Sequence, residues 1–476
     1  MLLKVMKKHI KLLILVFFPF CLIGQISTFK SSPYKQYSNY FSDTIASFDS
    51  DTTQHIELGS RINSKISYHD NKMYSSLLVG KVFSANLKNK ITLNSNLDHL
   101  IGDFHPLNQH LADSLDLYFP TYGDKRFRWQ FNLKYKVNKF ITADFGKGRH
   151  FIGNGFRSLL LSDNQTPYPF LKLTTEFGRV KYYNLYTTFL NPNQSDFGRK
   201  KHSTIHFLDF ALTDNIHFGV FESILWQSKS EEVNKGFEFA YLNPIIFYRP
   251  VEFSKHSSKG NALMGANFNA TFNTTVIYGQ AMLDDLNISR QKDSDEEDYE
   301  EGFFQNKFGF QIGVKTKYKE VDLLAEYNQV QPYTYGHRTV LQNYSHMNQA
   351  LAHPLGANFK EVVLMVNYKK DKWMYSIKVT TAKVGLDSLD THYGQNIFES
   401  DYEASTGGQH SYGNFNGQGF LTQLNTMYAE ISYDYKGFDI FGSLFYKTKK
   451  SDLVDQTSLF YSLGLRTFPF STFTDY

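Results

Sequence analysis

A twelve-residue stretch of this chain, RFRWQFNLKYKV, alternates strictly between polar and bulky apolar side chains. It runs from Arg126 to Val137, with basic or amide residues at even positions and aromatic or aliphatic residues at odd positions. Successive side chains of a β-strand point to opposite faces, so this stretch predicts a strand with one apolar face and one wet face. A soluble sandwich would bury the apolar face in a core, whereas a membrane barrel would turn it toward lipid.

The same alternation recurs in residues 308–315 and again in residues 459–466. The chain has 476 residues, which is more than one soluble core usually holds, and 17% of them are aromatic. A transmembrane β-barrel hides its apolar surface in alternating strands, so a hydrophilic average does not exclude it. A net charge of +4 is too balanced to favour nucleic acid as a partner.

The first residues predict export. Basic residues between Lys7 and Lys11 precede an apolar run from Leu12 to Ile23, which predicts a signal peptide over residues 1–24. The lone cysteine, Cys21, lies inside this segment, so disulfides cannot brace the remaining chain. We expect residues 25–54 to form a periplasmic lead-in or plug, and residues 55–476 to form an outer-membrane β-barrel.

Short polar turns and long connections alternate along the chain. The long connections lie near residues 146–168, 191–203, 227–261, 284–305, 328–359 and 384–420. The turns are found near residues 88–90, 137–139, 178–179, 213–215, 273–274, 319–320, 369–372 and 436–437. Outer-membrane barrels have short periplasmic turns and long extracellular loops. Eight turns join sixteen strands, and an opening and a closing strand predict an all-β, antiparallel transmembrane barrel of about eighteen strands.

The most distinctive connection is GKGRHFIGNGFRSLLLSDNQTPYPFLKL, from Gly146 to Leu173. Its glycines permit tight backbone turns, and arginines can fork onto carboxylates or phosphates. Hydroxyl and amide groups recognise sugars by hydrogen bonds. The candidate polysaccharide-binding residues here are Arg149, His150, Asn154, Arg157, Ser162 and Asn164.

A second candidate stretch runs from Tyr241 to Gly265, YLNPIIFYRPVEFSKHSSKGNALMG. Tyr248, Arg249 and Glu252 place an aromatic ring, a cation and an anion close together, which suits sugar binding. An alternative interpretation is equally open: such segments fold inward, constrict the lumen, and use their charged residues in ion pairs that brace the wall. The two interpretations are compatible if the constriction is also the binding surface.

Both stretches carry a family resemblance. GRHFIGNGFRSLLLSDNQTPYP resembles the signature of the Wzi-type capsule-assembly outer-membrane proteins, in particular their gliding-motility, RemB-like branch. FYRPVEFS followed by NALMGANF is similar to a second stretch of that branch. The resemblance implies a barrel of about eighteen strands that binds surface or capsular polysaccharide in a lectin-like manner. It also implies periplasmic helical or plug elements, for which Ser27 to Thr53 shows no obvious helical bundle.

Other functions find less support in the sequence. His150, Ser158 and Asp163 are close in sequence, but no nucleophile elbow accompanies them, so we expect no enzyme and no catalytic residues. The acidic run DSDEEDYEE, from Asp293 to Glu301, lacks the glycine and ligand spacing of an EF-hand. The histidines near His105 form no zinc pattern, so we expect no metal and no cofactor. The alternatives are a passive diffusion channel or an accessory of a secretion or motility machine; outer-membrane lipid is the other expected partner.

Overall fold

The chain folds into a closed antiparallel barrel of eighteen strands. The computed structural model describes residues 55–87, 90–102, 127–192, 199–229, 239–242, 244, 260–286, 302–387, 391–401, 412–452 and 454–467. Each barrel strand pairs with its neighbours in chain order, and the last strand pairs with the first from Asn63–Arg466 to Tyr68–Tyr461. Closure pairs the backbone groups of the two edge strands over these six residues, as a sheet in hydrocarbon requires. The predicted fold class is therefore confirmed.

The strands are long enough to cross a membrane when tilted. The first ten are β1 His55–His69, β2 Lys72–Leu87, β3 Ile91–Gly102, β4 Phe127–Lys136, β5 Ile141–Gly148, β6 Tyr168–Phe177, β7 Val180–Leu190, β8 Lys200–Ala211, β9 Ile216–Gln227 and β10 Asn261–Phe272. They are followed by β11 Thr275–Asp285, β12 Lys307–Tyr318, β13 Val321–Val330, β14 Ser345–His346, β15 Gln349–Ala350, β16 Phe359–Lys370, β17 Trp373–Leu386, β18 Phe420–Tyr435, β19 Phe438–Lys450 and β20 Asp455–Arg466.

Three further elements lie outside the barrel wall's strand order. The two-residue strands β14 and β15 form a small hairpin of their own in the connection between β13 and β16. Two short 3-10 helices span Phe239–Leu242 and Val340–Gln342. Over the described ranges, no helix has the length and apolar character needed to cross a membrane.

All eight predicted turns lie at one end of the barrel, and each joins two strands through two to four residues. One further turn, Asp70–Asn71, joins β1 to β2 at the other end. Both of its residues have positive φ (46° and 60°), as a tight hairpin turn requires. The predicted long connections also lie at this other end. The predicted signal peptide and lead-in fall outside the described residues.

The two faces of each strand differ in chemistry as the sequence predicts. On β12, Phe308, Phe310 and Ile312 point outward and are 38%, 40% and 58% exposed. Gln311 and Lys315, on the opposite face, are buried inside the barrel. An apolar exterior and a polar interior are the arrangement of a barrel that is surrounded by lipid. The aromatic stripe of β4 follows the same rule, with Trp129 and Tyr135 exposed on the outer wall.

One side of the lumen, toward the end with the long connections, is filled by an apolar core. Leu159, Leu160 and Leu161 are fully buried there against inward-facing side chains of β6 to β18. These inward-facing partners include Phe170, Phe189, Phe207, Phe221, Leu263, Val330, Phe359 and Leu424. Packing of this kind resembles the interior of a soluble domain and closes that side of the lumen to bulk water.

The opposite side of the lumen is lined by ion pairs. Arg61 on β1 donates to Asp98 on β3, with 2.8 Å between Nε and Oδ1. Arg466 on β20 donates to Glu430 on β18 at 2.6 Å, and its Nε lies 3.4 Å from Asp439. Opposite charges thus brace the wall where the two ends of the chain meet.

A substitution on the outer wall tests the transmembrane assignment. Ile312→Arg places a cation near the middle of β12 on the lipid face, and should lower the free energy of unfolding by about 2–4 kcal/mol. Tyr318→Arg lies on the same face at the short-turn end of the strand, where the expected loss is about 0–1 kcal/mol. Reversible denaturant unfolding in lipid vesicles measures both. Equal effects at the two positions would contradict a lipid-facing wall.

Candidate functional site

The connection between β5 and β6, residues 149–167, folds into the lumen and will be called the lumenal segment. Ile152 and Leu161 form an antiparallel bridge, and the Ile152 amide donates to the Leu161 carbonyl at 2.9 Å. Gly155 makes the close approach to the wall possible, since a Cβ there would lie 2.3 Å from the Glu326 Oε2 atom. The glycines that were singled out in the sequence therefore serve, in part, backbone contact with the barrel interior.

The carboxylate of Glu326 anchors the backbone of the lumenal segment. It accepts hydrogen bonds from the amides of Phe156 at 2.7 Å and Arg157 at 3.0 Å. The Tyr278 hydroxyl at 2.8 Å and the Asn328 side-chain amide at 2.9 Å also donate to it. Four donors from the segment and from two strands therefore converge on one buried carboxylate of β13.

The side chain of Arg157 forms a second anchor, with Glu361 on β16. Arg157 Nη2 and Nε donate to Glu361 Oε1 at 3.0 and 3.3 Å. His353 Nε2 lies 2.6 Å from the other carboxylate oxygen, Oε2, which also accepts from Asn328 at 2.9 Å. Arg157 is only 2% exposed, so its guanidinium braces the wall in the manner of the alternative sequence interpretation.

Asn154 is held by three side chains of the inner wall. Its side-chain oxygen accepts hydrogen bonds from Asn267 at 3.0 Å and Asn269 at 3.2 Å. Lys315 donates to its main-chain carbonyl at 3.2 Å. Asn154 itself is partly exposed, so it combines an anchoring role with a surface that faces the lumen.

Arg149 and His150 lie where the lumenal segment leaves β5, and both are partly exposed. Arg149 Nη1 donates to the Asp163 carbonyl at 2.8 Å, which fixes the guanidinium across the segment. His150 Nδ1 lies 3.3 Å from the Tyr168 hydroxyl, and its ring packs edge-on against Phe170 at 4.3 Å. Burial, with a smaller contribution from Lys172, lowers the pKa of His150 well below its usual value, so the ring is neutral.

Ser162 and Asn164 lie at the far end of the same segment. Ser162 is buried, its amide donates to the Leu351 carbonyl at 2.7 Å, and its carbonyl accepts from Gln165 at 2.6 Å. Asn164 is partly exposed, and its side-chain nitrogen makes no hydrogen bond within the described part of the chain. That nitrogen is itself buried, so the partner that can satisfy it is an ordered water and not a ligand at the surface.

The second candidate stretch divides at the limits of the described residues. Tyr248, Arg249 and Glu252 lie outside them. Before these residues, the chain lies on the outer wall, where Thr204 and Tyr186 donate to the carbonyls of Tyr241 and Leu242 at 2.8 and 3.0 Å. The Tyr241 ring also packs against Trp226, with 4.7 Å between centroids. The sequence offered no signal for this placement outside the barrel.

A further connection that the sequence marked only as long, residues 331–358, completes the constriction. The Tyr335 and Tyr344 hydroxyls donate to the carbonyls of Leu159 and Leu160 at 2.7 and 2.8 Å. Lys201 donates to the Asn343 carbonyl at 2.6 Å and anchors this connection to β8. The tyrosine- and histidine-rich composition of residues 332–346 was the available signal, and it shows only that the stretch is polar and aromatic.

Two possible chemical clusters are already occupied by internal contacts. The Ser158 hydroxyl donates to the Ile152 carbonyl at 2.6 Å, which directs it to backbone. Asp387, His392 and Glu399 bring possible metal-ligand atoms within 4.8 Å of one another. Asp387 already accepts a hydrogen bond from the Asn396 amide at 2.9 Å and lies 3.2 Å from His392, as expected for a carboxylate that shapes a turn.

Comparison with known proteins places the fold. No family model matches the sequence, and no curated protein matches it. Among solved structures, the Escherichia coli outer-membrane protein Wzi, a carbohydrate-binding β-barrel involved in group 1 capsule assembly, matches with a TM-score of 0.56. Identity is 15%, over 87% of this chain and 84% of that chain. Pseudomonas aeruginosa OprD matches with a TM-score of 0.46 and 9% identity, over 87% of this chain and 94% of that one. The likeness to Wzi shows a Wzi-like outer-membrane barrel fold.

A single methyl group tests the close approach of the lumenal segment. Gly155→Ala pushes a Cβ into Glu326, which four hydrogen bonds hold in place, and should lower the free energy of unfolding by about 1–3 kcal/mol. Gly442→Ala is a matched control, since its Cβ meets Leu463 at an ordinary 3.4 Å. The temperature at which the folded band shifts on a semi-denaturing gel reports both. A Gly155→Ala protein as stable as the control would contradict the packed constriction.

The constriction should also weaken in acid. Burial, together with the positive charges of Lys201 and Lys147, lowers the pKa of His346 to about 3, against about 6.5 in an unfolded chain. Its contribution to stability is therefore complete above about pH 6.5 and falls by about 1.4 kcal/mol per pH unit below it. Denaturant midpoints at pH 7.5 and 4.5 measure this loss. His346→Gln should show a smaller loss on acidification, and an unchanged loss would refute the assignment.

Proposed function

We propose that this protein is an outer-membrane barrel that binds and retains surface polysaccharide at the extracellular face of its constriction, without catalysing a reaction. The observation that carries the proposal is the packed constriction itself. It holds Arg149, His150 and Asn164 partly exposed on a rigid support, rather than on a freely moving loop. Asn154, which bonds to Asn269 and Lys315 near the short turns, faces the other end of the lumen. Fixed polar groups of this kind recognise a ligand at low entropic cost.

The chemistry of these groups suits an acidic polymer. An arginine can fork onto a carboxylate of an acidic sugar, and an amide can donate to a sugar hydroxyl. Arg157 has a different role in this proposal, because its contact with Glu361 fixes the segment that presents the other groups. Arg157 is therefore a positioning residue.

The comparison with Wzi supports this direction. Its carbohydrate binding and its part in capsule assembly belong to that protein, and for this chain they suggest polysaccharide as the ligand class. The sequence resemblance to the RemB-like branch adds a role in surface motility. Anchoring a capsule and supporting movement over a surface both require a polymer to be held at the cell surface.

The test uses binding of acidic polysaccharide to the refolded full-length protein. Arg149→Ala combined with Arg249→Ala should weaken binding at least about tenfold, because each substitution removes a charged hydrogen-bond donor. Arg179→Ala is the matched control, since Arg179 lies in a periplasmic turn and pairs there with Asp214 at 2.9 Å. Equal binding by the double variant and the control would refute the assigned residues. No binding by the parent protein to any acidic polymer tried would refute the function.

A passive diffusion channel is the second candidate. The observation that favours it is the side of the lumen that the apolar core does not fill. Charged side chains such as Lys172 and Lys134 are partly exposed there. Conductance in planar bilayers distinguishes the two functions. A constricted binding protein should pass little current, whereas an open pore should pass a large, steady current. An accessory role in a secretion or motility machine would instead appear as protein partners that co-purify from membranes.

A further inference from the structure

A row of lysines runs across the outer wall near the extracellular rim. Lys360 on β16 is opposite Lys383 on β17, which is opposite Gln423 on β18. Gln423 is in turn opposite Lys450 on β19, and all four side chains are exposed. The row therefore brings three cations onto four adjacent strands of the outer surface.

The lysines share the lipid-facing side of their strands. Lys360 has the same parity as the exposed Leu364 on β16, and Lys383 has the same parity as the exposed Val379 and Ile377 on β17. Lys450 likewise has the parity of the exposed Tyr446 on β19. Since side chains of one parity lie on one face of a strand, all three cations point away from the lumen.

The outward-facing side chains become less polar, row by row, from the lysine row toward the middle of the barrel wall. The next outward row begins with the apolar Val362 on β16 and continues through Thr381, Asn425 and Thr448. Thr381 donates to Asn425 at 2.7 Å, and Asn425 donates to Thr448 at 3.1 Å. The following row is apolar, with Leu364, Val379, Met427 and Tyr446. Cations, then hydrogen-bonding groups, then hydrocarbon is the sequence of environments that crosses the headgroup region of a leaflet.

This pattern is specific to one sector of the wall. In the neighbouring strands, Lys360 is opposite Gln329 on β13, and Gln329 is opposite Phe310 on β12. Phe310 is exposed and apolar, and so is Phe308, the next outward-facing residue toward the end of the barrel with the long connections. The rim of the barrel is therefore not basic all round.

The charges of Lys360 and Lys383 are not balanced within the described part of the chain. Two like charges placed directly opposite one another, as in the Lys360–Lys383 pair, repel and destabilise a sheet. Neither lysine forms an ion pair with a residue in the described part of the chain, while Lys450 lies 3.8 Å from the exposed Asp455. An external anion between the two lysines would remove the repulsion.

We propose that this sector, defined by Lys360, Lys383, Gln423 and Lys450, binds the phosphate groups of anionic lipids in the extracellular leaflet. The location favours a lipid, because the row lies directly above an exposed apolar row of the kind that acyl chains cover. Lysine ammonium groups extend from their apolar stems toward the phosphates. The threonine and amide row below meets the polar linkage between headgroup and acyl chains. This inference depends on the transmembrane fold and is independent of the polysaccharide proposal.

The test compares lipid binding by the refolded full-length protein in neutral detergent, measured by native mass spectrometry. The probe is diphosphorylated lipid A, with the same lipid after removal of both phosphates as a second arm and inorganic phosphate as a third. The triple variant Lys360→Gln, Lys383→Gln and Lys450→Gln should bind lipid A about 100-fold more weakly, since each lysine near an anionic surface contributes about fivefold. Dephosphorylated lipid should bind both proteins equally.

A matched control removes the same number of positive charges from the opposite end of β16 and β17, two of the three strands changed in the test variant. Lys369→Gln, Lys370→Gln and Lys372→Gln lie at the exposed periplasmic end of β16 and β17, and should leave lipid A binding unchanged. A shift of the folded band on semi-denaturing gels establishes that each variant is folded. Equal losses in the two triple variants, or none in the first, would overturn the proposal. Competition by millimolar inorganic phosphate as strong as that by lipid would assign the sector to free anions instead.

Discussion

The whole structure depends on the requirement that backbone polar groups in hydrocarbon be hydrogen-bonded within the protein. The pairing of β20 with β1 meets this requirement, because it removes the two edges that an open sheet would expose. Once the sheet is closed, the side chains at alternate positions of each strand point outward, and those between them point into the lumen. The interior then becomes a separate environment, in which connections from the extracellular end can fold.

The lumenal segment that fills this interior is stabilised by a separate set of contacts. Glu326 and Glu361 are buried carboxylates, and each would be costly without partners. The amides of Phe156 and Arg157 and the guanidinium of Arg157 supply those partners from a single short stretch of the lumenal segment. Around this polar anchor, three consecutive leucines pack into an apolar core. The constriction is therefore a small packed domain that is built inside a barrel.

The outer wall departs from a uniform apolar surface in two places. Over β7 and β8, hydroxyls of Tyr186 and Thr204 bind carbonyls of the connection that follows β9, so part of this wall is covered by protein. Over β16 to β19, lysines replace aromatic residues near the rim. Both features interrupt the alternation only locally, because a polar group on this face is tolerated when a partner reaches it. The first of these features shows that the outer wall carries specific protein contacts as well as general solubility in lipid.

The sequence by itself predicted the barrel, a strand number of about eighteen and the separation of short turns and long connections to opposite ends. Alternation such as that of β12 and turn residues such as Asn273–Thr274 act between near neighbours, so they can be read without knowledge of the rest of the chain. It also marked the glycine- and arginine-rich stretch that became the lumenal segment. Only the tertiary structure decided that Arg157 faces Glu361, that residues 331–358 complete the constriction, and that Tyr241 lies outside the wall. These contacts join residues far apart in sequence, such as Arg157 and Glu361 at a separation of 204 positions. Their partners are set by barrel register and not by any local pattern.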